Sequence, residues 1–173
     1  GAGGVIVHRR GCVSGAVALG LGGGAMAAPL APRKLKPGMI APPFARAGLD
    51  GKPFDLALEP GKVMLIDFWA SWCAPCIIAI PHFRTWQAQW GRRGFQVVGI
   101  SMDDSSADAK AAAARLKVNY PVVMGDAKLA TLYGGILGLP VEMLVGRDGR
   151  IITIWQGETS PQTMEKAVRA ALA

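Results

Sequence analysis

The chain has 173 residues, 51% hydrophobic and 18% charged, with a formal charge of +7. This composition fits one globular domain with a substantial core and excludes a disordered chain. No Lys/Arg cluster interleaved with aromatics appears, so the basic balance argues against nucleic-acid binding and for solubility and encounter with acidic partners.

In chain order, His8-Arg9-Arg10 precedes an apolar, Gly-rich run over 13–28, and Ala25-Met26-Ala27 fits a small-residue cleavage site. Residues 1–27 therefore read as a secretory signal peptide or an N-terminal anchor. The run is shorter than the ~20 residues that span a bilayer. A Gly-rich extension without an address is the plain alternative. The paired arginines raise twin-arginine export, but the residues after them fit that signal poorly. Cys12 follows Arg10-Gly11 rather than an apolar run, which argues against lipidation. Without Arg9 and Arg10, 17 basic residues face 12 acidic ones, a charge of +5. Residues 28–37, with Pro, Lys and Arg, read as a linker, and 38–173 as the folded domain.

Residues 44–49 and 54–58 predict a hairpin around Asp50-Gly51, and Pro60-Gly61 a second turn. Residues 63–69 are a buried central strand. A helix opens at Cys73 and runs to about Trp90, with a kink expected at Pro81. Phe83, Trp86 and Trp90 share one face of it and read as core. A strand over 95–100 follows, then an Ala-rich helix capped by Ser105 or Ser106 and reaching about Lys117. A short strand at 122–124, a short helix at 127–133 and a strand at 141–145 come next. Arg147-Asp148-Gly149 turns into a strand at 151–155, and Ser160-Pro161 opens the terminal helix. The alternation implies an α/β fold with parallel pairing, helices on both faces and a closing antiparallel hairpin.

The chemistry concentrates in Trp72-Cys73-Ala74-Pro75-Cys76, where a strand turns into a helix. Of three cysteines, Cys12 lies apart in the leader. One close pair is a redox dithiol or, less often, half a metal site. Cys73 is the candidate attacker. It needs an exposed thiolate, and unpaired helix N–H groups favour that form. Cys76, one turn in and more shielded, is the candidate resolver. Pro75 suits the first turn and stiffens the ring. Asp67 lies in the apolar strand six residues before Cys73. Buried there, it would have a raised pKa and exchange protons with Cys76; exposed, it would only aid solubility. Pro140 can be trans and mark a strand edge, or cis and offer the Leu139 backbone to an extended substrate.

Asp67-Phe68-Trp69-Ala70 followed by Trp72-Cys73-Ala74-Pro75-Cys76 resembles a thioredoxin-fold active site. The wider pattern resembles the exported TlpA/ResA-like thiol–disulfide oxidoreductases. It includes Ala41-Pro42-Pro43-Phe44, Gly61-Lys62, Pro81, Val98-Gly99-Ile100-Ser101-Met102-Asp103, Tyr120-Pro121-Val122, Gly138-Leu139-Pro140, Asp148-Gly149 and Gly157. The match spans about residues 35–172. It implies a thioredoxin-like α/β fold: a central mixed sheet flanked by helices, with an N-terminal β-hairpin extension. It also implies a cis Pro140, a substrate face at Trp72, Leu139 and Pro140, and a redox-active Cys73–Cys76 disulfide with no other cofactor. Three positions depart from the pattern. Ala79 stands where the family often has Glu, Asp67 where it often has Asn, and Val141-Glu142-Met143 where Thr-Thr-Phe is usual. The proton-transfer carboxylate thus moves from the helix to the strand. Glu142 is either a second carboxylate near the dithiol, with coupled titration, or a residue reaching solvent at a strand end.

His82 reads as a surface residue rather than a metal ligand. A copper-transfer protein of this fold would space its cysteines by three and add a later His, and structural zinc needs about four ligands. No peroxidatic-cysteine loop, phosphate loop, nucleotide fingerprint or serine triad is present. The expected function is reduction of disulfides in protein substrates, in the periplasm, by a monomer re-reduced by a membrane electron donor. Ala-Pro between the cysteines resembles the Gly-Pro of reducing thioredoxins. Cytochrome c maturation is a frequent role in the family. The alternatives are an oxidant that installs disulfides and a non-catalytic Cu(I) carrier.

Overall fold

Strand β3, Val63–Trp69, is buried along its whole length and is the middle strand of the main sheet. A strand with apolar side chains on both faces must be covered on both, and here it is. The computed structural model describes residues 32–173, so the leader reading for 1–27 lies outside the described residues. The elements in order are β1 (Ala45–Ala47), β2 (Pro53–Asp55), β3, α1 (Ala74–Trp90), β4 (Phe95–Ser101), α2 (Ser106–Arg115), β5 (Val122–Met124), α3 (Ala127–Leu132), β6 (Val141–Val145), β7 (Ile151–Gln156) and α4 (Pro161–Leu172).

The main sheet runs β5-β4-β3-β6-β7. The pairs β3–β4 and β4–β5 are parallel, whereas β6 is antiparallel to both β3 and β7. Right-handed crossovers from β3 to β4 to β5 put α1 and α2 on one face. There Cys76, Ile80, Phe83 and Trp86 of α1, Ala112 of α2 and Met164 and Val168 of α4 pack on Val63, Leu65 and Trp69. On the other face, Leu129 and Tyr133 pack with Phe44 and Phe54 on Met64, Ile66 and Phe68. The Tyr133 hydroxyl donates to the Pro42 carbonyl at 2.7 Å and ties this layer to the N-terminal segment. Leu35, within the linker expected over 28–37, is buried in the same cluster. This is a thioredoxin-like α/β fold with a mixed central sheet and an N-terminal β-hairpin.

The hairpin is shorter than the sequence suggests. Asp50-Gly51 sits at the tip of a wider loop in which the Gly48 N–H donates to the Lys52 carbonyl at 2.7 Å. Leu56–Leu58 form a 3₁₀ turn instead of extending β2, because the Asp55 side chain accepts the Ala57 N–H at 2.9 Å and ends the strand. The loop docks on β5, where the Leu49 N–H donates to the Val122 carbonyl at 2.8 Å. Helix α1 carries Pro81 inside it and continues to Trp90. Helix α2 stops at Arg115, two residues before the expected end, where Lys117 takes φ 53°. Ser105 caps α2 and Ser160 caps α4.

Candidate active site

The dithiol is presented by a turn built on two strand ends. The Met102 N–H donates to the Trp69 carbonyl at 2.8 Å, so β3 stays tied to the end of β4 as the chain leaves the sheet. Asp103 then holds the turn. Its carboxylate accepts the Ser71 N–H at 3.0 Å, the Ser71 hydroxyl at 2.6 Å and the Ser101 hydroxyl at 2.8 Å. Sequence reasoning named Asp103 only as part of a matching segment. Its signal was an acid two residues beyond a strand-end Ser, and its target, Ser71, lies 32 positions away.

Cys73 is the N-cap of α1, and the Cys76 N–H donates to its Sγ at 3.4 Å. Pro75 occupies the first turn, where a missing N–H costs nothing. Cys73 and Cys76 are joined in a disulfide with Cα atoms 5.3 Å apart. Cys73 keeps 5% of its surface and Cys76 1%, so the candidate attacker is less open than expected. Its sulfur is bonded to that of Cys76 and accepts the Cys76 N–H. Trp72, by contrast, is 70% exposed.

The Leu139-Pro140 peptide bond is cis. Because Val141 pairs with Phe68, this peptide lies at the end of β3 that leads to the dithiol. Leu139 packs against the cluster that contains Cys73 and Cys76. Its N–H and carbonyl take no hydrogen-bond partner among the described residues, whereas the Pro140 carbonyl accepts the Gly157 N–H at 2.9 Å. A groove of about 450 Å³ runs along this segment, lined by Leu137, Leu139, Pro140, Gln156 and Gly157 among others. Leu137 is fully exposed beside it.

Asp67 and Glu142 are each 1% exposed, so neither reaches solvent. They are direct cross-strand partners on β3 and β6. Side chains alternate along a strand. On β3, Leu65 and Trp69 belong to the dithiol-side cluster, and on β6 so does Leu144. Asp67 and Glu142 therefore share that face. Both oxygens of Asp67 and Oε2 of Glu142 are buried without a hydrogen-bond partner among the described residues. Burial raises the Asp67 pKa well above the ordinary carboxylate range, and the Glu142 charge raises it further. Burial pushes Glu142 up to about 8, partly offset by its own backbone N–H. Tyr120 also contributes a buried hydroxyl with no partner among the described residues, its pKa raised by burial and then by the charge of Asp67.

Ala79 faces the dithiol-side core without a carboxylate. His82 is exposed, its ring 6.3 Å from that of Trp86. Among the described residues, no three His, Cys, Asp or Glu residues are grouped to hold a metal ion.

The Redoxin family model matches residues 36–172. The thiol-disulfide oxidoreductase ResA of Bacillus thuringiensis subsp. konkukian (strain 97-27) is 24% identical over 136 residues, covering 79% of each chain. ResA of Bacillus subtilis (strain 168) is 26% identical over 121 residues, 69% of this chain and 67% of that one. A solved thioredoxin-family thiol:disulfide interchange protein from Chlorobium tepidum TLS superposes with a TM-score of 0.73 at 31% identity, over 82% of this chain and all of that one. With the dithiol at the helix start and the cis proline beside it, the chain belongs to the Redoxin family and is a ResA/TlpA-like thiol–disulfide oxidoreductase of the thioredoxin superfamily.

Proposed function

We propose that the chain is an exported reductase of disulfides in protein substrates. The observation that carries this reading is the disulfide at the N-cap of α1, beside a cis Leu139-Pro140 segment whose Leu139 backbone is unpaired among the described residues. An extended substrate segment pairs with that backbone by strand addition, and Trp72 covers its apolar side chains. In the reduced enzyme the Cys73 thiolate, stabilised by the Cys76 N–H, attacks one substrate sulfur. The substrate S–S bond breaks, its other sulfur leaves as a thiolate and takes a proton, and a Cys73–substrate disulfide forms. Asp67 accepts the Cys76 proton. The Cys76 thiolate attacks Cys73 Sγ, the mixed disulfide breaks and the second substrate thiol leaves. Two electrons have passed from the dithiol to the substrate, and the Cys73–Cys76 disulfide is closed.

The cysteines are the redox group, and no further cofactor enters the scheme. The protein works as a monomer. The basic, apolar and small-residue leader supports export to the periplasm or its membrane face. Among the described residues no helix is long and apolar enough to cross a membrane. In an oxidising compartment, turnover draws electrons from a membrane donor. Maturation of cytochrome c, with its exported haem-binding thiols, is one setting that fits. The reduction potential of Cys73–Cys76 tests the direction of transfer. A value near thioredoxin's, about −270 mV, supports a reductase; one near the strong oxidant DsbA, about −120 mV, sinks it.

A further inference from the structure

Glu142 is a buried acid that the reaction above does not use. A lone carboxylate in an apolar face is costly, and two adjacent ones cost more, because the second charge must form beside the first. Cross-strand partners hold their Cβ atoms about 4.5–5.5 Å apart, close enough for strong coupling in a dry interior. Among the described residues no cation offsets them. From α1 the neighbours on this face are Cys76, Ile80 and Phe83, and from α4 Met164 and Val168. On the sheet, Gly99 of β4 stands beside Asp67, and Trp155 of β7 stands beside Glu142. Among the described residues, the other titratable groups facing the pair are Tyr120 and, once reduced, Cys73 and Cys76.

We propose that Glu142 is a second proton-holding residue of the dithiol site, acting through its cross-strand partner Asp67 rather than on the sulfurs. This rests on the assignment of Asp67 as proton acceptor for Cys76. The pair works from a state with one proton over two carboxylates. With that proton on Glu142, Asp67 is ionised and takes the proton of Cys76. The pair then becomes neutral, so the resolving step leaves no carboxylate charge buried at this spot. When the disulfide is next reduced, the leaving Cys76 thiolate recovers a proton from Asp67.

The test follows decay of the Cys73–glutathione mixed disulfide, formed from the reduced protein and excess oxidised glutathione, between pH 5 and 10, together with ¹³C-carboxyl NMR titration of the oxidised protein. Wild type is expected to show two coupled carboxyl steps. Glu142→Gln keeps the shape but removes the charge. It is expected to leave one carboxyl step, with the midpoint of the pH–rate profile lower by about one pH unit, the displacement a nearby like charge produces. Asp67→Asn with Glu142→Gln is expected to add nothing to the rate loss of Asp67→Asn alone. If E142Q overlays wild type in both the NMR titration and the rate profile, Glu142 has no such role. If E142Q does not fold, the reciprocal titration in Asp67→Asn decides: an unmoved Glu142 step overturns the proposal, and a lowered one supports it. If wild type itself exchanges no disulfide, the underlying reading fails instead.

Discussion

Asp67 on β3 and Glu142 on β6 are direct cross-strand partners, both buried, with three of their four carboxylate oxygens unpartnered among the described residues. Such a pair must be explained by function or by pH, because it weakens the native state whenever it ionises.

Stability should therefore fall with rising pH. The folded pKa values are raised, so from the ordinary carboxylate range up to about 8 for Glu142 the native state holds protons that the unfolded chain has released. The stabilisation is fully present below the unfolded values and is lost as pH rises through the folded ones. Each such group contributes a slope of up to about 1.4 kcal/mol per pH unit. Urea midpoints of wild type and Glu142→Gln at pH 4.5, 7 and 9 check this. The variant gains relative stability by a few kcal/mol at pH 9 and little at pH 4.5. An equal difference at all three pH values contradicts the sign.

Asp67→Asn should slow resolution, not attack. General-base assistance by a positioned carboxylate contributes about 10²-fold or more. Rapid-quench mass spectrometry should find the mixed disulfide on Cys73 forming near the wild-type rate and decaying on the order of 10²-fold more slowly at neutral pH. Equal slowing of both steps would point to damage to the turn instead.

Asp103→Ala should loosen the dithiol turn. It strands the Ser71 N–H and the Ser71 and Ser101 hydroxyls, which now bond one carboxylate. Losing bonds to a charged acceptor in a largely buried place costs about 2–4 kcal/mol. Amide hydrogen exchange at Ser71 should accelerate more than at the centre of β3. Unchanged Ser71 protection contradicts the assignment.

Trp72→Ala should spare stability and weaken protein substrates. The side chain is 70% exposed, so the change should stay within about 0.5 kcal/mol by thermal unfolding. KM for a protein disulfide should rise while the rate with oxidised glutathione holds. A parallel loss with both substrates removes Trp72 from the docking face.

Most of the framework was legible because local signals agreed with one another. The run Val63–Trp69 was apolar but for Asp67, the cap Ser160 was chemically plain and that of α2 lay between Ser105 and Ser106, and Cys-x-x-Cys stood at a strand-to-helix junction. What was not legible depended on contacts between distant segments. Asp55 ends its strand by bonding two residues ahead, a choice its sequence neighbours do not force. Nothing local says that Asp103 reaches Ser71 or that Tyr120 lies near Asp67. Glu142 remained open between solvent and dithiol because one register step separates the two faces of a strand. Pairing with Asp67 sets that register.

The most direct test is to replace Cys76 by Ser, and separately Cys73 by Ser, and recover covalent partners from the reducing cycle. The account predicts that Cys76→Ser accumulates mixed disulfides joining Cys73 to protein substrates, released by added dithiol, while Cys73→Ser accumulates none. Trapping on Cys76 instead, or no trapping by Cys76→Ser while wild type still reduces the same protein disulfide, would contradict it.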